Sequence, residues 1–530
     1  MKKIKLFMMS FAAVCALGMS SCVKDLEVTP IDPSTRFPSD ALNSEQGFEQ
    51  LLAKCYAGLA VSSSYGANGD PDIEGVDGGF GQYLRAYFNL NCLTTDEAIC
   101  SWNDTGLPDL QNMNWQSSNQ FIIAMYYRVF YQISLCNEFI RQANSTDVVF
   151  TGNNRAAMIA EARALRALSF YHAIDMFGDV AFPTENDPVS LTAPRKISRA
   201  ELFDWVVAEC EDLVNGSDLA EEGQNIYGRC DKGFARMILA KLYLNAEVYK
   251  GEAMYDKCAE QCEILMSKYQ LHPNFADLFA ADNHLFTANT THGSTNEIIF
   301  AVPHDGIKTT SYGGTNFLIF AGTGGDMNPT EMGISSGWGG LSVTEQVAER
   351  FEEYENDARH MFFTAYGKEN PEAQNFTAGG YKSIKFRNVN HDGGAAQTTG
   401  FVDTDFPLFR VADAYLMFAE CAKRGGADEA KGLEAYRAIL VRANVIEEDD
   451  DKVKSYTLED VLDERSREFL WEGCRRQDLI RYGQFTTADY VWEYKGSVKE
   501  GAAVESFRNL FPIPAAEINA NPNLSQNEGY

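Results

Sequence analysis

The clearest periodicity in the chain lies in AEARALRALSFYHAIDMFGD, where Ala160, Ala164, Ala167, Tyr171, Ile174 and Gly178 recur at steps of 4, 3, 4, 3 and 4. That spacing lines one face of an α-helix, and its small side chains let a neighbouring helix approach closely. A second stretch, GFARMILAKLYLNAEVYKGEAMYDKCAEQCEILMSKYQL from Gly233, reads as two helices of similar length joined by a turn around Gly251. In it Ala235, Ala240 and Tyr243 are expected to face Ala259 and Leu265. A third, VADAYLMFAECAKRGG with LEAYRAILVRANV, gives another pair whose first helix ends at Gly425 and Gly426. Pairs of this size with alanines at the crossing points have the sequence form of tetratricopeptide-type units. Long insertions interrupt them. The pattern therefore predicts a mostly α fold, with tetratricopeptide-type helix pairs forming a scaffold that carries loop-rich insertions and a few short β-strands, not a regular solenoid.

The insertions SSSYGANGDPDIEGVDGGFGQY (62–83) and SYGGTNFLIFAGTGGDMNPTEMGISSGWGG (311–340) are glycine-rich and read as non-helical. The β runs EIIFAV (297–302) and YKSIKF (381–386) are expected to pin them to the body. The acidic run Glu447 to Asp451 reads as a solvated loop. In DERSREFLWEGCRRQDLIRYGQF, Glu464 with Arg467, Glu472 with Arg475, and Asp478 with Arg481 stand at i, i+3, so charge pairs along a helical scaffold are expected.

The first residues form a different unit. Lys2, Lys3 and Lys5 precede an apolar run from Leu6 to Leu17, and Met19-Ser20-Ser21 leads into Cys22. The run is too short to span a bilayer and has the order of a secretory signal. A cysteine at the cleavage point reads as a lipoprotein signal peptide over residues 1–21, with Cys22 acylated as the first mature residue; an ordinary signal with an incidental cysteine is the alternative. Each acyl CH₂ buried in a membrane leaflet contributes about 0.8 kcal/mol to such an anchor. The rest divides into a tether (22–44), an N-terminal helical region with loop insertions (45–270) and a C-terminal region packed on it (271–530).

Composition narrows the chemistry. A net charge of -30 argues against nucleic acid and other anionic polymers, because phosphate binding requires a basic footprint. Neutral polymers are left open. Hydrophobic residues make up 45% of the chain, ample for a large core. Twelve cysteines less Cys15 and Cys22 leave ten whose spacing matches neither a disulfide framework nor a zinc site, so buried free thiols are expected.

Candidate sites were weighed by residue type. In DPDIEG, Asp70, Asp72, Glu74 and Gly75 match the start of a calcium loop, yet Gly81 stands where the closing glutamate belongs; a structural calcium near Asp70 and Asp72 and a plain polar turn both fit. There is no G-x-S-x-G and no H-E-x-x-H, and the seven histidines are scattered. Nothing singles out a carboxylate pair for glycoside hydrolysis. Sugar recognition suits the insertions better, because it needs exposed aromatic platforms beside planar hydrogen-bonding groups. Trp102 is followed by Asn103 and Asp104, and Trp338 is flanked by glycines in SSGWGG. Ordinary core packing is the alternative reading of each tryptophan.

The stretches AEARALRALSFYHAIDMFGD, DTDFPLFRVADAYLMFAEC, DERSREFLWEGCRRQDLIRYGQFTT and FPIPAAEINANPNLSQNEGY together resemble the SusD/RagB family of outer-membrane lipoproteins. The resemblance covers essentially the whole chain after the signal. It implies a non-enzymatic, cell-surface protein, lipid-anchored at Cys22 in the outer membrane, that captures oligosaccharide and passes it to a SusC-like TonB-dependent transporter. It implies no cofactor. Lys24-Asp25-Leu26-Glu27 is similar to the acidic surface-export signal of such lipoproteins. In the starch-binding member an aromatic arc follows the curve of an α-glucan; the matching positions here are Trp102, Tyr312 and Trp338, with Asp77 and Arg85 as polar contacts and Asn103 and Asp104 beside them. That member has a second tryptophan where Cys100 stands, and its turn after Trp102 is longer. Starch or another α-glucan is the favoured ligand; another glycan or a peptide on the same fold is the alternative, and a glycoside hydrolase a more distant one.

Overall fold

Helices dominate the regular structure, and several of the long ones start where the sequence supplies a cap. The computed structural model describes residues 41–530 except 188–191, 287–295, 372–378 and 449–451. The signal, Cys22, most of the tether and Asp449 to Asp451 of the acidic run lie outside the described residues, while Glu447 and Glu448 are exposed. The N-terminal helices are α1 (Glu45–Ala57), α2 (Tyr83–Asn91), α3 (Gln120–Ser145), α4 (Asn154–Met176), α5 (Arg199–Asn215), α6 (Lys232–Leu244) and α7 (Tyr255–Lys268). Ser44, Asn119 and Asp231 cap α1, α3 and α6 by accepting backbone N–H groups of the first turn, and Ser198 with Glu201 forms a capping box on α5. Then come α8 (Gly314–Gly322), α9 (Glu345–Glu352), α10 (Val411–Lys423), α11 (Glu429–Arg442), α12 (Leu458–Glu468) and α13 (Arg475–Arg481).

Helix α4 confirms the alanine-lined pattern and exceeds it. Every residue from Ala164 to Met176 is buried, so the helix is enclosed rather than one-faced. The pair from Gly233 forms as expected, α6 against α7. Its first member stops at Leu244, where the Asn245 side chain donates to the Lys241 carbonyl (2.9 Å). A short turn, Ala246–Lys250, follows and ends at left-handed Gly251 (φ 78°). The later pair is α10 with α11, the first ending at left-handed Gly425 (φ 83°). In space the helices form one row: α3 on α4, α4 on α5, α5 on α6, α6 on α7, α7 on α10 and α10 on α11. The long segment between α7 and α10 leaves the row and returns to it, so the insertion interrupts the sequence but not the stack.

Among the described residues, eight strands form four two-stranded antiparallel ladders: β1 (Ile99–Cys100), β2 (Val180–Ala181), β3 (Lys196–Ile197), β4 (Ile298–Val302), β5 (Leu341–Ser342), β6 (Phe362–Phe363), β7 (Lys382–Ser383) and β8 (Phe406–Arg410), paired β1–β5, β2–β3, β4–β8 and β6–β7. EIIFAV forms β4 as expected. YKSIKF forms a strand only over Lys382–Ser383, paired with β6. One hydrophobic cluster runs from Phe48 on α1 to Leu524 near the C-terminus. All ten described cysteines are free; nine are buried and Cys474 is half-buried.

The basic and acidic side chains near the C-terminus are not a surface pattern but a buried lattice of ions. Glu468 on α12 accepts from Arg359 (3.1 Å), Arg410 (2.8 Å) and Arg442. Arg410 also reaches Glu297 (2.6 Å) and Glu472 (2.7 Å), and Lys385 pairs with Glu472 (2.6 Å). Arg465 bridges Asp413 on α10 (2.7 Å) and Asp478 on α13 (2.8 Å), while Lys241 of α6 joins Asp413 from the other side. Arg481 holds Glu420 (2.7 Å), and Arg475 grips Asp96 through two bonds (2.7 and 2.8 Å). Of the three expected i, i+3 pairs, Glu464–Arg467 and Asp478–Arg481 form. Glu472–Arg475 does not, because the helix breaks after Glu468 and the chain reverses through left-handed Trp471 (φ 64°) and Gly473 (φ 80°), turning Glu472 towards Arg410 and Arg475 towards Asp96.

Removing one member of such a lattice strands the others in a low-dielectric interior. Glu468→Ala is expected to destabilise the fold by about 3–5 kcal/mol in urea unfolding, whereas alanine at exposed Glu448 should lie within about 0.5 kcal/mol of the unmutated protein. A second expectation concerns pH. Glu97 is fully buried beside Asp96, and burial pushes its carboxyl up to about 8. Folding then favours its protonated form, so its contribution is complete below about pH 4.3, the unfolded value, and is lost as pH rises towards 8. Glu97→Gln lacks that loss: its melting temperature relative to the unmutated protein should climb between pH 5 and 8 and level off above.

Candidate functional site

The site residues are assembled by a helix inside the second glycine-rich insertion. GTNFLIFAG forms α8, contrary to the non-helical expectation for 311–340, and all nine residues are buried. A helix enclosed on every side has no polar face and so no amphipathic period, and its bounding glycines read as loop. Phe317 and Phe320, one turn apart, support the two tryptophans from below. Phe317 meets Trp102 edge-on (centroids 6.0 Å, 67°), and Phe320 lies against Trp338 (5.0 Å, 37°). The last carbonyls of α8, which have no partner within the helix, are used to hold the Trp338 turn: Trp338 N–H donates to Phe320 O (2.7 Å) and Gly339 N–H to Thr323 O (2.8 Å).

Trp102 is placed from the other side by the β1–β5 ladder. Ile99 and Cys100 pair with Ser342 and Leu341, and Ser101 continues the pairing through its N–H to Gly340 O (3.0 Å). The indole lies flat against the Gly340 backbone: a Cβ there would stand 2.2 Å from Trp102 Nε1, and Gly340 has φ 107°. Only glycine permits both the conformation and the approach.

Arg85, at the start of α2, ties the insertions together. Its Nη1 donates to Gly79 O (2.7 Å) in the first insertion and Tyr312 O (3.2 Å) in the second, and its guanidinium lies 4.2 Å from the Phe317 ring centre and 5.6 Å from that of Trp102. Burial lowers its pKa to about 10, partly opposed by Asp104 and Asp77, so it carries its charge at neutral pH. Tyr312 joins the same group: its ring meets Trp338 edge-on (6.0 Å, 62°), and its hydroxyl donates to Asn68 Oδ1 (2.8 Å). Thus Arg85, Trp102, Tyr312 and Trp338 converge, with all three aromatic rings half-buried. Asp104 faces the Arg85 recess; Asp77 is exposed, its carboxylate accepting from Gly79 N–H (2.6 Å), and Asn103 is exposed and lines a separate cavity beside Trp102.

Asp70 and Asp72 are arranged differently from a calcium loop. Asp72 pairs with Arg128 (2.8 Å), Asp70 is exposed, and among the described residues no group of three or more His, Cys, Asp or Glu side chains is placed to hold a metal ion. A carboxylate already neutralised by a guanidinium is a poor calcium ligand. Cys22 lies outside the described residues. Sequence reasoning missed the supports Phe317 and Phe320, and also Phe401, whose ring lies 5.7 Å from that of Tyr312. No local motif marks these residues, which reach the site only through tertiary contacts.

The chain is similar to several known proteins. A family model described as the SusD family matches residues 360–530. The chain is 33% identical to the starch-binding protein SusD of Bacteroides thetaiotaomicron over 99% of its own length and 98% of that protein's. It is 24% identical to SusD-like protein P25 of Formosa agariphila, covering 76% and 78%. Among solved structures, surface glycan-binding protein A from Bacteroides thetaiotaomicron in complex with laminarihexaose has a TM-score of 0.68 at 18% identity, covering 91% of this chain and 99% of that one. The corresponding protein from Bacteroides uniformis has a TM-score of 0.70 at 19% identity, with the same coverage. These neighbours share the mostly helical fold.

The Gly340 contact is open to test. Gly340→Ala should displace the Trp102 indole, changing the near-ultraviolet circular dichroism, and should cost about 1–3 kcal/mol of stability from the strained backbone. Gly75→Ala, also left-handed but with open space around its Cβ, should leave the aromatic signal unchanged.

Proposed function

The chain belongs to the SusD family, and from that premise we propose that it is a non-enzymatic glycan-binding lipoprotein of the outer cell surface, which captures an α-glucan and delivers it to a SusC-like TonB-dependent transporter. The observation that carries this reading is the convergence of Trp102, Tyr312 and Trp338 around Arg85 on two buried phenylalanines. A neutral sugar offers apolar C–H faces, which stack on aromatic rings, and hydroxyls, which bridge planar polar groups. Three half-buried rings supply the first requirement, and Asp77, Arg85, Asn103 and Asp104 the second. The α-glucan is favoured because the starch-binding relative matches along the whole chain.

Several features support binding rather than turnover. Among the described residues, the pocket beside Arg85 is lined by one carboxylate, Asp104, and no histidine. Buried His172 and His304 do not line it: His172 packs against Tyr83 and Tyr87 and His304 against Gly314, and burial lowers their pKa values to about 3 and about 4. Membrane attachment is assigned to acylated Cys22, and the acidic residues Asp25 and Glu27 after it to surface export. No helix of the described residues is long and apolar enough to cross a membrane. Shallow platforms bury little of each sugar, so affinity per site is expected to be weak and raised by repeated units of the polymer.

The experiment is calorimetry of a chain beginning after Cys22 against maltoheptaose and laminarihexaose, alongside Trp102→Ala and Trp338→Ala. Maltoheptaose should bind and laminarihexaose should not. Each substitution should lower affinity at least about tenfold, equivalent to about 1.4 kcal/mol, with the melting temperature nearly unchanged. Undiminished binding in both variants removes the assignment.

A further inference from the structure

Beside Trp102 lies a second cavity of about 130 Å³ that Arg85 does not line. Trp102 and Cys100 line both this cavity and the Arg85 recess, and the new walls come from Gln111, Asn112 and Tyr494. No charged side chain among the described residues lines it. Two half-buried carboxamides, an indole and a phenol make the chemistry suited to a neutral sugar ring: apolar faces beside planar donors and acceptors. Its size fits a ring rather than a chain. Cys100 leaves room that a large aromatic side chain in its place would fill.

Backbone strain is concentrated around the same cavity. Among the described residues, five other than glycine have positive φ: Met113 (51°), Asn444 (59°), Trp471 (64°), Tyr494 (69°) and Ser497 (64°). Three of the five, Met113, Tyr494 and Ser497, lie in the two turns that form this cavity's far wall. The turns are joined to one another by Asn114 Nδ2 donating to Ser497 Oγ (3.2 Å). Left-handed backbone at non-glycine residues persists only where surrounding structure enforces it. Here Lys495 does so: its buried ammonium donates to the carbonyls of Gln484 (3.1 Å), Thr487 (2.8 Å) and Tyr490 (2.6 Å) and lies 4.5 Å from the Trp492 ring centre. Tyr494 is thus held rigidly in a conformation that glycine would adopt at no steric cost.

We infer that this cavity is an additional subsite for one neutral sugar residue of the bound glycan, with Tyr494 as its platform and Gln111 and Asn112 as hydroxyl partners, so that the ligand extends past Trp102 beyond the three-ring arc. The inference rests on the proposed glycan binding. It predicts that the subsite matters only for oligomers long enough to reach it.

Calorimetry with maltotriose and maltoheptaose separates the possibilities, using the unmutated chain, Tyr494→Gly, Tyr494→Phe and Trp338→Ala. Tyr494→Gly should keep or raise the melting temperature, because it relieves the left-handed strain. It should also weaken maltoheptaose binding about three- to tenfold and leave maltotriose binding within about twofold. Tyr494→Phe retains the platform and should bind both like the unmutated protein. Equal maltoheptaose affinity in Tyr494→Gly, with Trp338→Ala still impaired, overturns the subsite and spares the main site. Equal loss for both oligomers shows that the effect is not a length-dependent subsite and also overturns it. If the unmutated chain binds neither oligomer, the α-glucan reading fails and this inference with it.

Discussion

The structure depends on a lattice of charges that water does not reach. Arg359, Arg410, Arg442, Arg465, Arg475 and Arg481 are each buried against carboxylates from distant parts of the chain. Desolvating so many ions is costly, and the cost is offset only when every charge finds well-placed partners. One arrangement of segments provides them: α12 and α13 against α10, with Lys241 of α6, Glu297 beside β4 and Asp96 before β1 brought to the same place. A hydrophobic core of this size tolerates small shifts of packing. A lattice of bidentate ion pairs does not, because a displaced partner leaves a bare charge.

The candidate site inherits its geometry from that lattice. Asp96, gripped by Arg475 and Arg350 and bonded by the Tyr490 hydroxyl (2.5 Å), anchors the strand that carries Trp102 six residues on. Trp471, in the reversal between α12 and α13, donates to the Glu97 carbonyl (3.3 Å) and packs beside Phe88 and the end of α8. Through α8, the same fixed body supports Phe317 and Phe320, and through them the platforms above. Tyr490 and Lys495 extend the connection to the turn of Tyr494. The aromatic rings are thereby pre-organised, which reduces the ordering cost that weak, shallow recognition could not otherwise meet.

The helical scaffold was largely legible because it obeys periodicity. The small-residue face of α4, the α6–α7 and α10–α11 pairs and their glycine stops are local features that short-range rules describe. What misled was enclosure. Helix α8 has no polar face, so it reads as loop, and the strand expected over YKSIKF forms but only at Lys382–Ser383. The charged stretch from Glu464 reads as i, i+3 pairs along a helical scaffold, and two of the three pairs form. Its true partners are in some cases hundreds of positions away, as in Arg475 with Asp96.

By itself, then, the sequence determined the mostly helical class, the positions of α4, α6, α7, α10 and α11 and the residue types fit for sugar recognition, since these follow from local propensity, periodicity and side-chain chemistry. Tertiary structure decided which of those residues meet. Trp102, Tyr312 and Trp338 come from two separate insertions, and only α8, Arg85 and the bare backbone of Gly340 bring them to one place. Burial and long-range ion pairing are collective properties of the folded chain, and no window of neighbouring residues contains them.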